Sequence, residues 1–237
     1  MCWGMGATVA MVAAGGIGTV LTARRGDPVV IPVALGYFTA MEALQFAGYL
    51  VIDQCGSPAN QTITLLSMLH IVFQPLIINA FAMELVPVPL RTRTRVAVFT
   101  LCALASTVML LQLYPFGWAG TCQPGSILCG PALCTVSGDW HLAWDIPYNG
   151  LMVPLDAALG RTWGFPTYML AVFLLPLFYG AWRFALFQAV AGPWLAGQLT
   201  TNPNEIPAIW CLFSIGLLSI SLSPWIRAQV SGRPATA

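Results

Sequence analysis

Glu42, His70 and Asp145 are three ionisable side chains that fall inside mainly apolar stretches of this sequence. Imidazole together with carboxylates is a donor set for zinc or iron, and it is also the set used for general acid–base work. His70 belongs to residues 61–85, QTITLLSMLHIVFQPLIINAFAMEL, and shares one helical side with Thr64, Ser67 and Gln74. Pro75 frees the carbonyl of Ile71, right beside the histidine. A polar stripe of this kind belongs against a cavity or other polar helices, not against lipid.

The neighbouring stretches decide what His70 can meet. Residues 29–52 and 61–85 are each long enough to cross a bilayer and are joined by a short loop, which makes them antiparallel. Counted from that loop, Glu42 and His70 sit at one depth, about 14 Å in at 1.5 Å per residue. Glu42, Gln45 and Tyr49 share a face; Gln45 falls level with Ser67, and Tyr49 close to Thr64. Residues 139–159, GDWHLAWDIPYNGLMVPLDAAL with its first glycine at 138, place His141, Asp145, Asn149 and Asp156 within one arc if helical, with Tyr148 and Met152 between them. A mid-membrane carboxylate costs at least roughly 2.5–3.5 kcal/mol unless paired. The expected pair is Glu42–His70, and its sharper form is a divalent metal, zinc or iron, held by Glu42, His70 and Asp145. Gln45, Ser67, Gln74, Tyr148 and Asn149 are the expected substrate-positioning groups. Gln45, Thr64, Ser67 and Gln74 also suit the plainer role of hydrogen-bonding neighbouring helices, worth about 0.6 kcal/mol each. His141 with Trp140 and Trp144 reads as an interfacial aromatic belt. Asp156 and Glu84 read as partners for nearby arginines, and Asn202, Asn204 and Glu205 as turn and capping residues before Pro207.

These residues need a scaffold, and composition names it. The chain is 58% hydrophobic and 7% charged, against about a quarter charged in soluble domains. The reading is an all-α, polytopic membrane protein: one seven-helix bundle, N-terminus outside and C-terminus inside. Its helices are near 5–23, 29–52, 61–85, 95–114, 139–159, 166–190 and 206–225. Ala10, Ala14 and Gly18 give the first a small-residue packing face. Splitting 166–200 into two spans, with 139–159 as an outer loop, needs a turn near Arg183, where no turn residues sit. With seven helices Arg24, Arg25, Arg91, Arg93, Arg95, Arg161, Arg227 and Arg233 fall inside, and Arg183 toward the outer half. The location this implies is a bacterial-type inner (plasma) membrane. There is no internal repeat of the inverted-transporter kind.

Cysteine usage fits that topology. Cys55, Cys122, Cys129 and Cys134 fall in outer loops, the last three in the long loop 115–138. Four cysteines on an oxidising face predict two disulfides, of open connectivity, tying that loop to the loop after the second helix. Cys102 and Cys211 read as small buried hydrophobes. Asn60-Gln61-Thr62 matches a glycosylation sequon, a common tripeptide.

Several functions drop out. Net charge is +1, which offers nothing to nucleic acid, and all nine basic residues are arginine. Without lysine there is neither a retinal Schiff base nor a lysine nucleophile. A haem between the two histidines is disfavoured, because His141 stands about 10 Å above His70 on the helix rise. MCW at the start, DQCGSPAN, GDWHLAWDIPYNG and NPNEIPAIWCLFSIG resemble an uncharacterised family of small bacterial membrane proteins over nearly the whole chain, which implies no activity. His141-x-x-x-Asp145 is also similar to the paired ligands of alkaline-ceramidase-type membrane hydrolases, a resemblance implying zinc and hydrolysis. That family uses three histidines, and this chain has two. The expected function is a metal-dependent membrane enzyme acting on a lipid or apolar substrate from the outer leaflet. The alternatives are a proton-coupled transporter or small-molecule sensor, and a single-histidine haem or quinone protein.

Overall fold

In the computed structural model the described residues are 4–210 and 213–232; Cys2, Cys211 and Arg233 lie outside them. Four helices come first: α1 (Met5–Arg24), α2 (Val30–Leu50), α3 (Pro58–Glu84) and α4 (Thr92–Leu113). Each is long and apolar enough to cross a membrane, which is the mark of a membrane protein. Short loops make them antiparallel neighbours. The seam of α1 is Thr8, Met11, Gly15, Gly18 and Thr22, one side of a helix. This differs from the expected Ala10–Ala14–Gly18 face, because Ala10 and Ala14 are exposed. Gly15 and Gly18 are needed there: a Cβ would stand 2.2 Å from Thr39 Oγ1 and 2.4 Å from Leu218 Cδ2, respectively.

Residues 139–159 do not form the expected fifth helix, and the fold is therefore not all-α. Strands β1 (Cys134–Ser137) and β2 (Leu142–Asp145) pair antiparallel, with Thr135 opposite Trp144. The sequence reason is visible afterwards. CTVS and HLAW are short β-type runs on either side of Gly-Asp, a hairpin pattern, and Pro147 stops a helix from forming through the polar arc. Only α5 (Val153–Ala158) is helical within this stretch. The hairpin and loop close one end of the bundle, here termed the cap. Two disulfides, Cys55–Cys134 and Cys122–Cys129, hold it. The first ties the cap to the loop after α2, and the second closes a small ring within the long loop.

The expected helix 166–190 is also divided. The next helix, α6 (Pro166–Phe178), stops; Gly180, at φ +93°, turns the chain; and α7 follows over 182–199 with a Gly192 kink. The turn lies three residues before Arg183, made by one glycine in a conformation few other residues adopt. Then come α8 (Ile206–Leu222) and α9 (Pro224–Ser231), bent by 103° from one another.

The end opposite the cap is held by arginines. Asp27 accepts from Arg25 at 2.7 Å and from Arg227 at 3.2 Å. Arg25 also reaches the Ser221 carbonyl, at 2.7 Å, and Arg183 reaches that of Gln229, at 3.0 Å. Glu84 meets Arg95 at 3.4 Å, as expected. Desolvation pushes the Asp27 carboxyl up, but the two guanidinium groups pull it further down, leaving it below its ordinary value.

Candidate ligand site

Glu42, His70 and Asp145 have separate partners in the structure. The Glu42 Oε1 accepts from Ser214 at 3.1 Å. His70 stacks on Tyr37, ring centres 3.8 Å apart, while the Tyr37 hydroxyl donates to the His70 carbonyl at 2.5 Å. Asp145 ends β2 in the cap and accepts from Asn204 Nδ2 at 2.7 Å. Neither Glu42 Oε2 nor His70 Nε2 has a hydrogen-bond partner, so the Glu42–His70 pair is not formed. Among the described residues no three His, Cys, Asp or Glu side chains are grouped to hold a metal ion. Asp145 lies on a strand, so helical counting does not bring it to the depth of Glu42 and His70.

What converges at the cap is a different set. His141 Nε2 is 2.8 Å from Gln45 Oε1, and its Nδ1 is 2.5 Å from the Tyr49 hydroxyl. All three side chains are buried. Buried and with both ring nitrogens engaged, His141 is not a belt residue at the water boundary. Gln45 and Tyr49 are one turn apart on α2, so the imidazole bridges them and fixes the hairpin on that helix. Glu205, expected as a capping residue, is fully buried. Its carboxylate accepts from the backbone N–H groups of Asp139, Trp140 and His141 and from the Thr200 hydroxyl. Successive N–H groups aimed at one carboxylate form an anion nest, here filled by the chain itself.

The remaining predicted groups divide. Ser67 donates to the Ile63 carbonyl of its own helix at 2.9 Å, the plainer role. Thr64 bonds Thr135 Oγ1 at 2.7 Å. Asn149 donates to the Leu111 and Tyr114 carbonyls at 2.8 and 2.6 Å, which ties the cap to the end of α4. Tyr148 donates to the Ile127 carbonyl at 3.0 Å, and burial pushes its phenol above the ordinary value. Asp156 lies on α5; the Arg161 N–H donates to its carbonyl at 3.0 Å, but among the described residues no ion pair includes its carboxylate. Burial raises its carboxyl, against hydrogen bonds from the Gly164 and Trp163 N–H groups. Of the five expected positioning groups, Gln74 lines a cavity among the helices and Tyr148 borders a pocket in the cap.

That cavity lies beneath the cap, between α2, α3, α4, α6 and α8. Phe38, Ile71, Gln74, Phe165, Tyr168 and Trp210 are among its walls, with Ile127 and Leu128 from the cap. Its free volume is about 60 Å³, small beside the roughly 300–1,000 Å³ of a drug-sized site. Its lining is almost wholly apolar, apart from Gln74 Oε1 accepting from the Tyr168 hydroxyl at 2.6 Å. The aromatic wall is held in place: Trp210 stacks on Phe173 at 5.2 Å and meets Tyr168 edge-on at 5.5 Å. Tyr168 and Trp210 were not singled out in sequence, since isolated aromatics in apolar runs carry no spacing signal.

No curated protein and no solved structure matches the chain, so nothing supports the similarity to ceramidase-type hydrolases. A family model matches residues 6–231, nearly the whole chain, in keeping with the resemblance to an uncharacterised family. The chain therefore belongs to a family of unknown function, DUF5765.

Proposed function

We propose that this is an integral membrane protein that binds a hydrocarbon tail, of a lipid or similar apolar molecule, in the cavity beneath the cap. The observation that carries this reading is the cavity itself: small, apolar and within the helices, with the Gln74–Tyr168 pair as its polar point. A void this size stays dry if nothing fills it. Leaving it empty costs on the order of 1 kcal/mol, which an inserted chain would recover. Metal-dependent hydrolysis has no support from the donors, since Glu42, His70 and Asp145 have separate partners.

The membrane arrangement belongs to the same proposal. Seven passes remain the reading, now with α6 and α7 as the fifth and sixth and residues 139–159 outside. The N-terminus is outside and the C-terminus inside. Two features support it. Arg24, Arg25, Arg91, Arg93, Arg95, Arg183 and Arg227 then share the inner end, and Arg161 alone is outer. The two disulfides fall on the cap, which suits the oxidising side of a bacterial-type inner membrane.

The test is native mass spectrometry and lipid extraction of the purified protein. A tail-bearing molecule should stay bound in stoichiometric amount. Ile71→Trp, which fills the cavity, should abolish retention while the protein keeps its cap disulfides and elution volume. Equal retention by the folded variant would overturn the assignment.

A further inference from the structure

Halfway along α2 a carboxyl group is shut inside the bundle with nothing to neutralise it. Glu42 is 2% exposed. Ser214 donates to Oε1, and Oε2 has no partner. Beside it is a void of about 10 Å³, bordered by Met11, Gly15, Thr39, Ser214 and Leu218, space for about one water molecule.

The surroundings offer no counter-charge. On α1 the only titratable side chain is Arg24, at its far end. Residues Phe213–Leu222 of α8 carry none. On α2 itself Tyr37 and Tyr49 flank Glu42 at five and seven residues; from the cap hairpin come His141, engaged by Gln45 and Tyr49, and Asp145, engaged by Asn204. On α3 the groups are His70, which stacks on Tyr37, and Glu84, which meets Arg95. Among the described residues no ion pair includes Glu42. An ionised carboxylate at this depth is strongly disfavoured unless it is paired. The one neutral hydrogen bond from Ser214 returns only part of that cost.

One wall of the void is held by packing, without described polar ties along its length. The α1 threonines Thr8, Thr19 and Thr22 all donate to carbonyls of α1 itself. The described polar ties from this segment to the rest of the chain lie at its end, from Arg25 to the Ser221 and Leu222 carbonyls. Along its length α1 is held by packing, with Gly15 against Thr39 and Gly18 against Leu218.

We propose that Glu42 is a proton-binding site, protonated while α1 is packed and deprotonated when α1 draws back from α2 and α8 to admit water. The carboxyl keeps its O–H in the closed bundle; opening lets that proton pass to water and leaves a solvated carboxylate. Protonation and the position of α1 are then two sides of one equilibrium, and each biases the other. This is independent of any ligand beneath the cap.

Infrared spectroscopy of the full chain in nanodiscs tests the proton directly. At neutral pH the protein should show the C=O stretch of a protonated carboxylic acid that Glu42→Gln lacks and Asp156→Asn retains. Above its midpoint the acid form should fall about tenfold per pH unit relative to the carboxylate. Hydrogen–deuterium exchange of α1 peptides tests the coupling: the exchange rate of the wild type divided by that of Glu42→Gln should rise over the same pH range. No difference band at neutral pH, or an α1 exchange ratio flat through the titration, would overturn the proposal.

Discussion

Asn60 grips the peptide of Thr135 from both sides: its Nδ2 donates to the Thr135 carbonyl and its Oδ1 accepts the Thr135 N–H, each at 2.9 Å. The same Nδ2 reaches the Val51 carbonyl at 2.7 Å. One buried amide therefore joins α3, the end of α2 and strand β1. Asn60 is also the first residue of the sequon, and its Nδ2 is buried and fully used, so it is not open to glycosylation in the folded state. Asn60→Ala strands the Thr135 N–H, while the Thr135 and Val51 carbonyls keep the Asp53 and Gln54 N–H groups, and should destabilise by about 1–3 kcal/mol. Thermal unfolding and proteolysis should show the cap released first.

His141 should behave as a bolt between hairpin and helix. His141→Ala takes from Gln45 Oε1 its partner at a buried site and should cost about 1–3 kcal/mol. Replacing Gln45 and His141 together by apolar residues should recover part of the loss, since both partners then disappear. A double-mutant cycle on unfolding free energy measures this. Strict additivity of the single losses would show that the 2.8 Å contact contributes nothing of its own.

Non-reducing mass spectrometry should find Cys55 joined to Cys134 and Cys122 to Cys129. The first pair spans a separation of 79 residues, and losing a long-range disulfide costs about 2–5 kcal/mol. Cys55→Ser/Cys134→Ser should therefore lower the unfolding temperature more than Cys122→Ser/Cys129→Ser, which opens a ring of separation 7.

The divided sixth helix makes a topology prediction opposite to that of one unbroken helix over 166–190. A membrane-impermeant thiol reagent added to intact cells should label Arg161→Cys and not Gly180→Cys. Opening the membrane should make the Gly180 site reactive. The reverse pattern would restore 139–159 as a membrane-crossing segment and sink the arrangement with α6 and α7 as separate passes.

The parts of this fold that sequence made legible are those where one signal stands alone. Long apolar runs gave α1 to α4, and four cysteines in apparent loops gave the disulfides. Asp145 and His141 show why the rest was hidden. Their four-residue spacing fits one face of a helix, but on the hairpin His141 ends the turn and Asp145 closes β2. Polar periodicity over so short a stretch does not separate helix from hairpin. Glu205 was hidden for another reason: its partners are backbone N–H groups, which carry no residue identity to read.

Asp27 gives the opposite end of the bundle an acid-sensitive clasp. Burial raises its carboxyl, while Arg25 and Arg227 lower it by more, so its folded value lies below the ordinary 3.8. A group depressed by folding contributes stability wherever it is ionised in both states, that is above about 3.8. The contribution is lost as pH falls from there through the lower folded value. The pair is partly exposed, with Arg25 at 43% and Asp27 at 14%, and should contribute about 0.5–1 kcal/mol. Asp27→Asn should lose this amount at neutral pH, where it frees Arg25 and Arg227 from the loop after α1. The difference between variant and wild type should shrink as pH falls below about 3.8 and through the lower folded value, because the wild-type Asp27 then takes up its proton. Urea titrations in detergent at neutral and acid pH measure both ends of the curve. A difference that persists undiminished in acid would mean that Asp27 acts through packing and not through its charge.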